Sequence, residues 1–336
     1  MHHPLQVLKH YWGYDGFRPG QAEVIDSILS GHDTLALMPT GGGKSITFQV
    51  PALANPGICL VISPLVALMK DQVKNLQKRG ILSAFISSEM PHWEILQQLD
   101  NCILGDYKFL YISPERISSE LFQEKLKTLS RKVNLLVVDE AHCISQWGND
   151  FRRDYRLIAD IRDAIPHVQV IAVTASATAA VVADICEQLH FRKGYRIFKT
   201  SFERKNLSFV VRKTDNKLKE ICHILSAVPG SAVIYSRTRK GVEEYAGKLR
   251  AAGISAEYFH AGLDPVLKTE RQADWVKGFT RVLVATNAFG MGIDKGDVRV
   301  VIHTEFPDSM EAYYQEAGRA GRDGKRAYAV ALLGPQ

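Results

Sequence analysis

The chain has 336 residues, of which 46% are apolar and 23% charged, and its formal net charge is +6. This composition excludes a disordered chain, and the length allows two domains of ordinary size. The five cysteines are scattered without a C-x-x-C pair, which argues against a zinc site or a disulfide framework and for a reducing compartment. Because no apolar run approaches the ~20 residues of a membrane helix, we expect a cytoplasmic protein without a membrane partner.

Short apolar runs alternate with longer amphipathic segments along the whole chain. The first half contains the predicted strands "TLALM", "ICLVIS", "SAFIS", "KFLYIS", "NLLVVD" and "VQVIAVT". The second half contains "SFVVRK", "SAVIYS", "SAEYFH", "RVLVAT", "VRVVIH" and "AYAVALL". Helical patterns separate them, for example "LVALMKDQVKNLQKRG". This order predicts an α/β fold with mostly parallel sheets that are flanked by helices on both faces.

The alternation is interrupted once, at the charged and polar stretch "TSFERKNL", residues 200–207. We therefore predict two α/β domains, over residues 1–203 and 204–336. The second half has no phosphate loop of its own.

The stretch "MPTGGGKS", residues 38–45, follows a predicted strand and precedes a predicted helix. A strict phosphate-loop pattern requires glycine where Met38 stands. The chemistry needs backbone N–H groups, a lysine and a hydroxyl for Mg²⁺, and these are available from Thr40, Gly41, Gly42, Gly43, Lys44 and Ser45. A flexible glycine-rich turn is the alternative interpretation of this stretch alone.

The strand "LLVV" ends in two carboxylates, Asp139 and Glu140. Ligands of α/β sheets gather at the carboxyl ends of strands, so Asp139 is expected beside the phosphate loop as a Mg²⁺ ligand. Glu140 is placed to orient the water that attacks the γ-phosphate. The alternative is an acidic strand end next to an ordinary surface histidine.

The segment "QEAGRAGRDG", residues 315–324, places Arg319 and Arg322 between glycines. Two arginines in such a loop are suited to binding an anion. An arginine supplied by the second domain could stabilise charge on a γ-phosphate. A solvated turn is the other interpretation of this segment.

Seven motifs together resemble the RecQ family of superfamily 2 helicases, whose core is two RecA-like domains. In the family's order they are "GFRPGQ", "MPTGGGKS", "SPLVALMKDQV", "DEAHCISQWG", "VTASAT", "AFGMGIDK" and "YYQEAGRAGRDG". The family tolerates a residue other than glycine at the position of Met38. The resemblance implies a DNA-dependent ATPase that uses ATP and Mg²⁺ and unwinds duplexes with 3′-to-5′ polarity in DNA repair and recombination.

The resemblance also implies roles for residues of the nucleotide site. Tyr14 and Arg18 resemble the pair that sandwiches adenine, and Gln21 resembles the glutamine that reads the adenine edge. A helix-packing tyrosine and a surface glutamine are the alternatives. In the first domain the implied roles are phosphate and metal contact for Lys44 and Ser45, metal ligation for Asp139, and water orientation for Glu140. Coupling to strand movement is implied for His142, Thr174 and Ser176.

In the second domain the implied roles are nucleotide sensing for Gln315, γ-phosphate contact for Arg319 and the arginine finger for Arg322. Asp294 is expected to bridge to the nucleotide site or to cap a turn.

The segment "CISQWGNDFRRDY" interleaves Trp147, Phe151 and Tyr155 with polar and basic groups. Aromatic rings can stack on bases and arginines such as Arg152 can bind phosphate. In the RecQ family this aromatic-rich loop senses single-stranded DNA. The alternative is that Trp147 and Phe151 fill core gaps. This chain departs from the family pattern here at positions 149 and 153, and also at Lys205, where the family usually has proline.

Further candidate nucleic-acid contacts follow predicted strands in both halves. Serine hydroxyls, backbone N–H groups and cationic side chains can hold the phosphates of one strand. For His260 the sequence favours a binding role only slightly over a structural one. The candidates are Ser63, Lys70, Ser113 and Arg116 in the first half, and Ser236, Arg237, His260, Thr286 and Asn287 in the second.

The predicted partner is DNA, single-stranded or as a 3′-tailed or forked duplex, and the protein is expected to be a monomer of the bacterial cytoplasm or nucleoid. RecQ proteins usually continue into zinc-binding and winged-helix modules that are absent here, so an excised core is expected rather than a natural short form. Two rivals remain: an RNA helicase of the same superfamily, and a DNA-binding module without catalysis.

Overall fold

The computed structural model describes residues 3–39, 43–146, 151–175, 177–201, 203–287, 289 and 295–334. The chain forms two compact units, Met1–Phe202 and Glu203–Gln336. Each unit is built on a parallel sheet with helices, as the alternation of apolar and amphipathic segments predicts, so the fold class is confirmed.

The strands of the first unit are short and, apart from β7, almost entirely buried. They are β1 (Thr34–Leu37), β2 (Ile58–Ile62), β3 (Ser83–Ile86), β4 (Phe109–Ile112), β5 (Val133–Val138), β6 (Gln169–Thr174) and β7 (Arg196–Lys199). They form a seven-stranded sheet in the order β3-β4-β2-β5-β6-β1-β7. All neighbouring pairs are parallel.

In the part of the first unit that the structure describes, two helices precede β1 and the other six connect its strands. They are α1 (Pro4–Trp12), α2 (Gln21–Leu29), α3 (Lys44–Ala54), α4 (Val66–Gln77), α5 (His92–Leu104), α6 (Glu120–Leu129), α7 (Ile158–Ala164) and α8 (Ala179–Gln188). Short 3₁₀ turns lie at Pro114–Arg116, Ser130–Lys132, Ala141–Ile144 and Arg153–Leu157.

Both faces of this sheet are apolar, which is why its strands read as continuous hydrophobic runs. Leu35 and Leu37 of β1 point into one core cluster. Ala36 and Met38 alternate with them and point into a second cluster on the other face. The edge strand β7 was missed by the sequence patterns, because three of its four residues are exposed and it lacks an apolar run.

The second unit repeats the design with six strands. They are β8 (Leu207–Lys213), β9 (Ser231–Tyr235), β10 (Ala256–Phe259), β11 (Val282–Ala285), β12 (Val298–His303) and β13 (Ala327–Leu333), in the order β10-β11-β9-β12-β13-β8. Its helices are α9 (Lys217–Ala227), α10 (Arg239–Ala251), α11 (Pro265–Lys277) and α12 (Met310–Ala317). Across the described part of the chain, no helix is both long and apolar enough to cross a membrane.

The amino edge of the first sheet is held by a buried carboxylate, Asp33. Its oxygens accept hydrogen bonds from Val170 N (2.9 Å) and from the Arg192 backbone N (2.8 Å) and Nη2 (2.8 Å). Arg162 Nη2 is 3.1 Å from Asp33 Oδ2, and the Arg162 side chain is only 4% exposed. The strands β1 and β6, helix α7 and the segment after α8 therefore meet at one charge cluster.

Replacing Asp33 with alanine is expected to lower the free energy of unfolding of the first unit by about 3–5 kcal/mol, because Arg162 is left as a buried charge without its carboxylate. Urea unfolding followed by fluorescence measures the change. The matched control is Asp163→Ala, since Asp163 pairs with His190 at an exposed site and should cost at most about 1 kcal/mol. Equal losses in the two variants would contradict the assignment.

Candidate nucleotide site and nucleic-acid residues

The carboxyl edge of the first sheet brings together segments that are far apart in sequence. Met38 N donates to Thr174 O (3.0 Å), which places the segment after β1 beside the end of β6. Asp139 N donates to Ile62 O (2.9 Å), which places the end of β5 beside β2. The order of β2, β5, β6 and β1 in the sheet therefore puts the phosphate-loop segment and the two carboxylates on one edge.

Helix α3 begins at Lys44, directly after a glycine in the left-handed region. Gly43 has φ 76°, and a Cβ atom there would lie 2.5 Å from Gln21 Nε2. Only glycine fits this position without displacing the Gln21 amide. The first backbone N–H groups of a helix have no acceptor within the preceding turn of that helix, and such a helix start favours an anion such as phosphate.

Gln21, the first residue of α2, links two parts of this site. Its side chain is buried, at 3% exposure. Oε1 accepts from Arg18 N (2.8 Å), and Nε2 donates to Gly43 O (3.0 Å). The amide therefore holds the segment that carries Tyr14 and Arg18 against the end of the phosphate loop. Tyr14 itself is 51% exposed, so its ring is open to a stacking partner.

Asp139 lies at the end of β5 in a setting suited to a cation. The pKa of its carboxyl is raised to about 6, chiefly by burial and also by the Glu140 carboxylate, while Lys44 opposes the rise. Ser63 Oγ is 3.5 Å from its Oδ2. Carboxylate oxygens are hard ligands of the kind that Mg²⁺ binds, and a bound Mg²⁺ would favour the ionised form of the Asp139 carboxyl. The residues present therefore fit a magnesium ion.

Glu140 has an unusual backbone conformation for a non-glycine residue, with φ 47° and ψ 46°. Its Oε1 lies 3.6 Å from Lys44 Nζ, and its Oε2 lies 3.5 Å from His142 Nδ1. Among the described residues, buried Oε2 has no hydrogen-bond partner. A carboxylate oriented by two cationic or polar neighbours with one oxygen available is suited to hold a water molecule.

His142 connects the carboxylates to the neighbouring strand. Its Nδ1 lies 2.8 Å from the Oγ1 of Thr174, which is the last residue of β6 and fully buried. A continuous polar chain therefore runs along one edge of the first unit's sheet, through Lys44, Glu140, His142 and Thr174.

Two predicted nucleic-acid residues of the first unit have partners within the protein, and a third is buried. Arg116 donates from Nε to Ser87 O (2.8 Å) and from Nη2 to Ser88 O (3.1 Å), so it holds the loop after β3. Lys70 is exposed and lies 3.6 Å from Glu89 Oε2. The Ser113 hydroxyl is buried and has no hydrogen-bond partner in the described part of the chain. Their roles in binding remain predictions.

The described part of the aromatic segment is divided between surface and core. Phe151 is partly buried, with Arg156 5.2 Å from its ring centroid. Arg152 donates from Nη1 to Pro64 O (3.3 Å). Tyr155 is fully buried, so its ring is not accessible to a base.

In the second unit, the turn after α12 carries the two predicted arginines. Arg319 is 8% exposed, and its guanidinium lies near the Tyr235 hydroxyl. Burial raises the pKa of Tyr235 to about 12, while the charges of Arg319 and Arg322 oppose the rise. Tyr235 Oη in turn donates to Phe289 O (3.0 Å). Both guanidinium groups therefore lie close to the carboxyl end of β9.

A clamp from residues 204–206 fixes this turn. Arg204 Nη2 donates to Ala320 O (3.0 Å) and Gly321 O (2.7 Å). Asn206 Nδ2 donates to Gly321 O (2.8 Å) and Lys325 O (2.8 Å). The sequence patterns assigned no function to Arg204 and Asn206, although a charged residue and an amide in a break between domains are a usable signal for loop clamping.

A buried pair holds the helix that precedes the turn. His303 Nε2, fully buried at the end of β12, lies 2.8 Å from Glu316 Oε2 of α12. The ring of His303 stacks on Tyr235 with centroids 5.3 Å apart. This pair was also missed, because a single histidine at a strand end gives no sequence pattern.

The predicted nucleic-acid residues of the second unit occupy the carboxyl ends of β9, β10 and β11. Ser236 and Thr286 are buried, with backbone N–H groups donating to Ala285 O (3.0 Å) and Phe259 O (3.2 Å). Asn287 is exposed. Two of the set have ionic partners: His260 Nε2 lies 3.0 Å from Glu243 Oε1, and Arg237 Nη2 lies 3.3 Å from Asp308 Oδ1.

Several predicted site residues lie outside the described residues. They are Thr40, Gly41, Gly42, Trp147, Ser176 and Asp294. Ser45, the second residue of α3, is described and partly exposed. Gln315 lies in α12 and Arg322 in the turn that follows.

Two family descriptions match the chain. Residues 18–185 match DEAD/DEAH box helicase, and residues 216–324 match the helicase conserved C-terminal domain. A protein named ATP-dependent DNA helicase RecQ from Bacillus subtilis (strain 168) is 43% identical over 339 residues, which cover 100% of this chain and 57% of that protein. Its counterpart of the same name in Haemophilus influenzae is 41% identical over 332 residues, covering 98% and 53%. The chain thus spans about half the length of these curated relatives.

A solved structure shows the same fold at lower identity. Helicase Lhr from Mycobacterium smegmatis, bound to ssDNA and AMP-PNP, gives a TM-score of 0.77 at 20% identity. The match covers 98% of this chain and 48% of that one.

Proposed function

The chain belongs to the DEAD/DEAH box helicase family and to the RecQ-type helicases within it, and from this premise we propose that it is the ATP-hydrolysing motor of a DNA helicase. One observation carries the proposal. Lys44, at the start of α3, lies 3.6 Å from Glu140 at the carboxyl edge of the sheet. A lysine at a helix start that faces a water-orienting carboxylate is the arrangement that hydrolysis of a triphosphate requires.

The first unit supplies the nucleotide contacts in this proposal. The N–H groups at the start of α3 and the Lys44 ammonium bind phosphate oxygens, and Glu140 orients the attacking water. Ser45 and Asp139 are the proposed ligands of Mg²⁺, which when bound neutralises charge on the phosphate oxygens. Tyr14, Arg18 and Gln21 are the proposed adenine contacts.

The second unit supplies positive charge. Arg319 and Arg322 are the proposed contacts to the γ-phosphate, and Gln315 the proposed sensor of the nucleotide. His142 and Thr174 would transmit the state of the nucleotide site, because they lie between Glu140 and the end of β6.

DNA is the proposed partner, in single-stranded, 3′-tailed or forked form, and the proposed direction of movement is 3′ to 5′. Exposed cations and amides support contact with phosphates, since Lys70, Arg237 and Asn287 are all on the surface. We propose a monomer in the bacterial cytoplasm or nucleoid that acts in repair and recombination.

The proposed function predicts that single-stranded DNA accelerates ATP hydrolysis by the chain. Phosphate release is measured with ATP and Mg²⁺, with and without a DNA oligonucleotide, and a matched RNA oligonucleotide is the control. We expect roughly a tenfold or larger increase in kcat with DNA, as expected if binding completes the catalytic geometry. Stimulation by RNA alone would favour an RNA helicase, and binding of DNA without phosphate release would indicate a non-catalytic module.

A further inference from the structure

One peptide group links the aromatic segment to the catalytic carboxylates. It is the peptide that joins Asp139 to Glu140. Its carbonyl oxygen accepts a hydrogen bond from Tyr155 Oη (2.9 Å). Its N–H group, on Glu140, donates to Asp139 Oδ1 (3.0 Å). Both polar atoms of this peptide are therefore held, which fixes the orientation of the peptide plane.

The orientation of this plane matters because Glu140 is in the left-handed region, with φ 47°. A left-handed conformation is unfavourable for a residue with a Cβ and persists only where the surroundings impose it. The Tyr155 hydroxyl is one of those constraints. The φ angle of Glu140 in turn directs its side chain toward Lys44 and His142, at 3.6 Å and 3.5 Å.

Three further backbone hydrogen bonds close the base of the aromatic segment. Cys143 N donates to Glu140 O (2.9 Å), and Arg152 N donates to Cys143 O (2.8 Å). Tyr155 N then donates to Arg152 O (3.1 Å). A ring of contacts thus runs from Glu140 through Cys143, Arg152 and Tyr155 back to Asp139, and the segment between positions 143 and 152 leaves from this ring.

Tyr155 is suited to a positioning role and not to stacking on a base. Its side chain is fully buried and packs in the core below β5 and β6. Its hydroxyl is the donor in the contact with the Asp139 carbonyl, because a carbonyl oxygen can only accept. The hydroxyl is the part of the residue that reaches the catalytic turn, while the ring fills the core.

We propose that Tyr155 is a positioning residue for ATP hydrolysis, whose hydroxyl holds the Asp139–Glu140 peptide and joins the base of the aromatic segment to Glu140. The proposal rests on the proposed ATPase function and deepens it. Loss of the hydroxyl frees the peptide plane and lets Glu140 relax from its left-handed conformation. Binding of nucleotide and DNA should be unaffected, because the Tyr155 side chain is fully buried.

The test is Tyr155→Phe, which retains the ring and removes only the hydroxyl. We expect kcat for DNA-stimulated hydrolysis to fall roughly 10- to 100-fold, with KM for ATP unchanged within about twofold, since small misplacement of a catalytic group acts on kcat. The dissociation constant for single-stranded DNA, from fluorescence anisotropy, should likewise remain within about twofold, because the ring is not exposed.

Tyr111→Phe is the matched control. Tyr111 is also buried in the first unit, on β4, and the Asp139 charge acts on its hydroxyl as well. Among the described residues, however, this hydroxyl accepts from Gln49 Nε2 (3.2 Å), while the polar atoms of the Asp139–Glu140 peptide bond to Tyr155 and to Asp139 Oδ1. We expect Tyr111→Phe to lose some thermal stability and to keep its kcat. Thermal unfolding of both variants shows that the assays are run on folded protein.

The outcomes separate the two proposals. A normal kcat in Tyr155→Phe, with or without a lower melting temperature, overturns the positioning role while the proposed function stands. An equal fall of kcat in both variants also overturns it, because the effect is then general. A wild-type chain that hydrolyses no ATP overturns the proposed function itself, and the role of Tyr155 with it.

Discussion

Replacing Lys44 with alanine is expected to reduce the DNA-stimulated kcat for ATP hydrolysis by about 100- to 1,000-fold, the range seen when a group that stabilises transition-state charge is removed. The ammonium group lies at the start of α3 and 3.6 Å from Glu140 Oε1. Its removal takes away the positive charge that phosphate oxygens would contact. It also removes a charge that lowers the pKa of Asp139, so the proposed metal ligand would ionise less readily.

Phosphate release under saturating single-stranded DNA measures this loss, and titration with a fluorescent ATP analogue measures binding. Lys125→Ala is the matched control, because Lys125 pairs with Asp100 on α5 (2.6 Å) and lies outside the candidate site. The control should retain wild-type kcat. Retention of more than half of the wild-type kcat by Lys44→Ala would mean that the phosphate contact is made elsewhere.

Replacing Arg322 with alanine is expected to lower kcat by about 1,000-fold while nucleotide binding changes little, as for arginine fingers that act on transition-state charge. The Arg322 charge lies close to Tyr235 and Arg319 at the end of β9, in a turn that Arg204 and Asn206 hold by its carbonyl groups. A clamped turn limits the conformations of the guanidinium before it meets its ligand, which is the condition for electrostatic preorganisation.

Single-turnover hydrolysis and equilibrium binding of an ATP analogue separate catalysis from binding for this variant. Arg322→Lys should remain defective, because a lysine cannot reproduce the planar pair of donors. Arg326→Ala is the control, since Arg326 is exposed and its guanidinium lies against Tyr328, 5.5 Å from the ring centroid. Turnover by Arg322→Ala equal to that of the control would remove Arg322 from the catalytic group.

The buried architecture could be predicted largely from the apolar runs. The strands β1, β2, β5 and β6 are apolar on both faces and bounded by polar segments, which is why their positions were predictable. The edge strand β7 was not, because its pairing with β1 comes from backbone hydrogen bonds and its side chains are mostly exposed. Apolar periodicity reports burial, and backbone pairing at an edge leaves no such pattern.

The chemical types in the candidate site were also evident from sequence, since a glycine run before Lys44 and two carboxylates after an apolar strand belong to phosphate and metal chemistry. The distance between these groups in the folded chain was not evident from sequence. Lys44 and Glu140 meet because β1 and β5 both border β6, an order that no local pattern specifies.

Tyr155 shows what the amino-acid sequence determined and what tertiary structure alone decided. The sequence establishes an aromatic residue among polar and basic ones, a pattern that predicts stacking on a base. Folding buries the ring and aims its hydroxyl at the Asp139 carbonyl, 2.9 Å away. Residue type is a local property, whereas burial and hydrogen-bond partners depend on which distant segments the sheet order brings into contact.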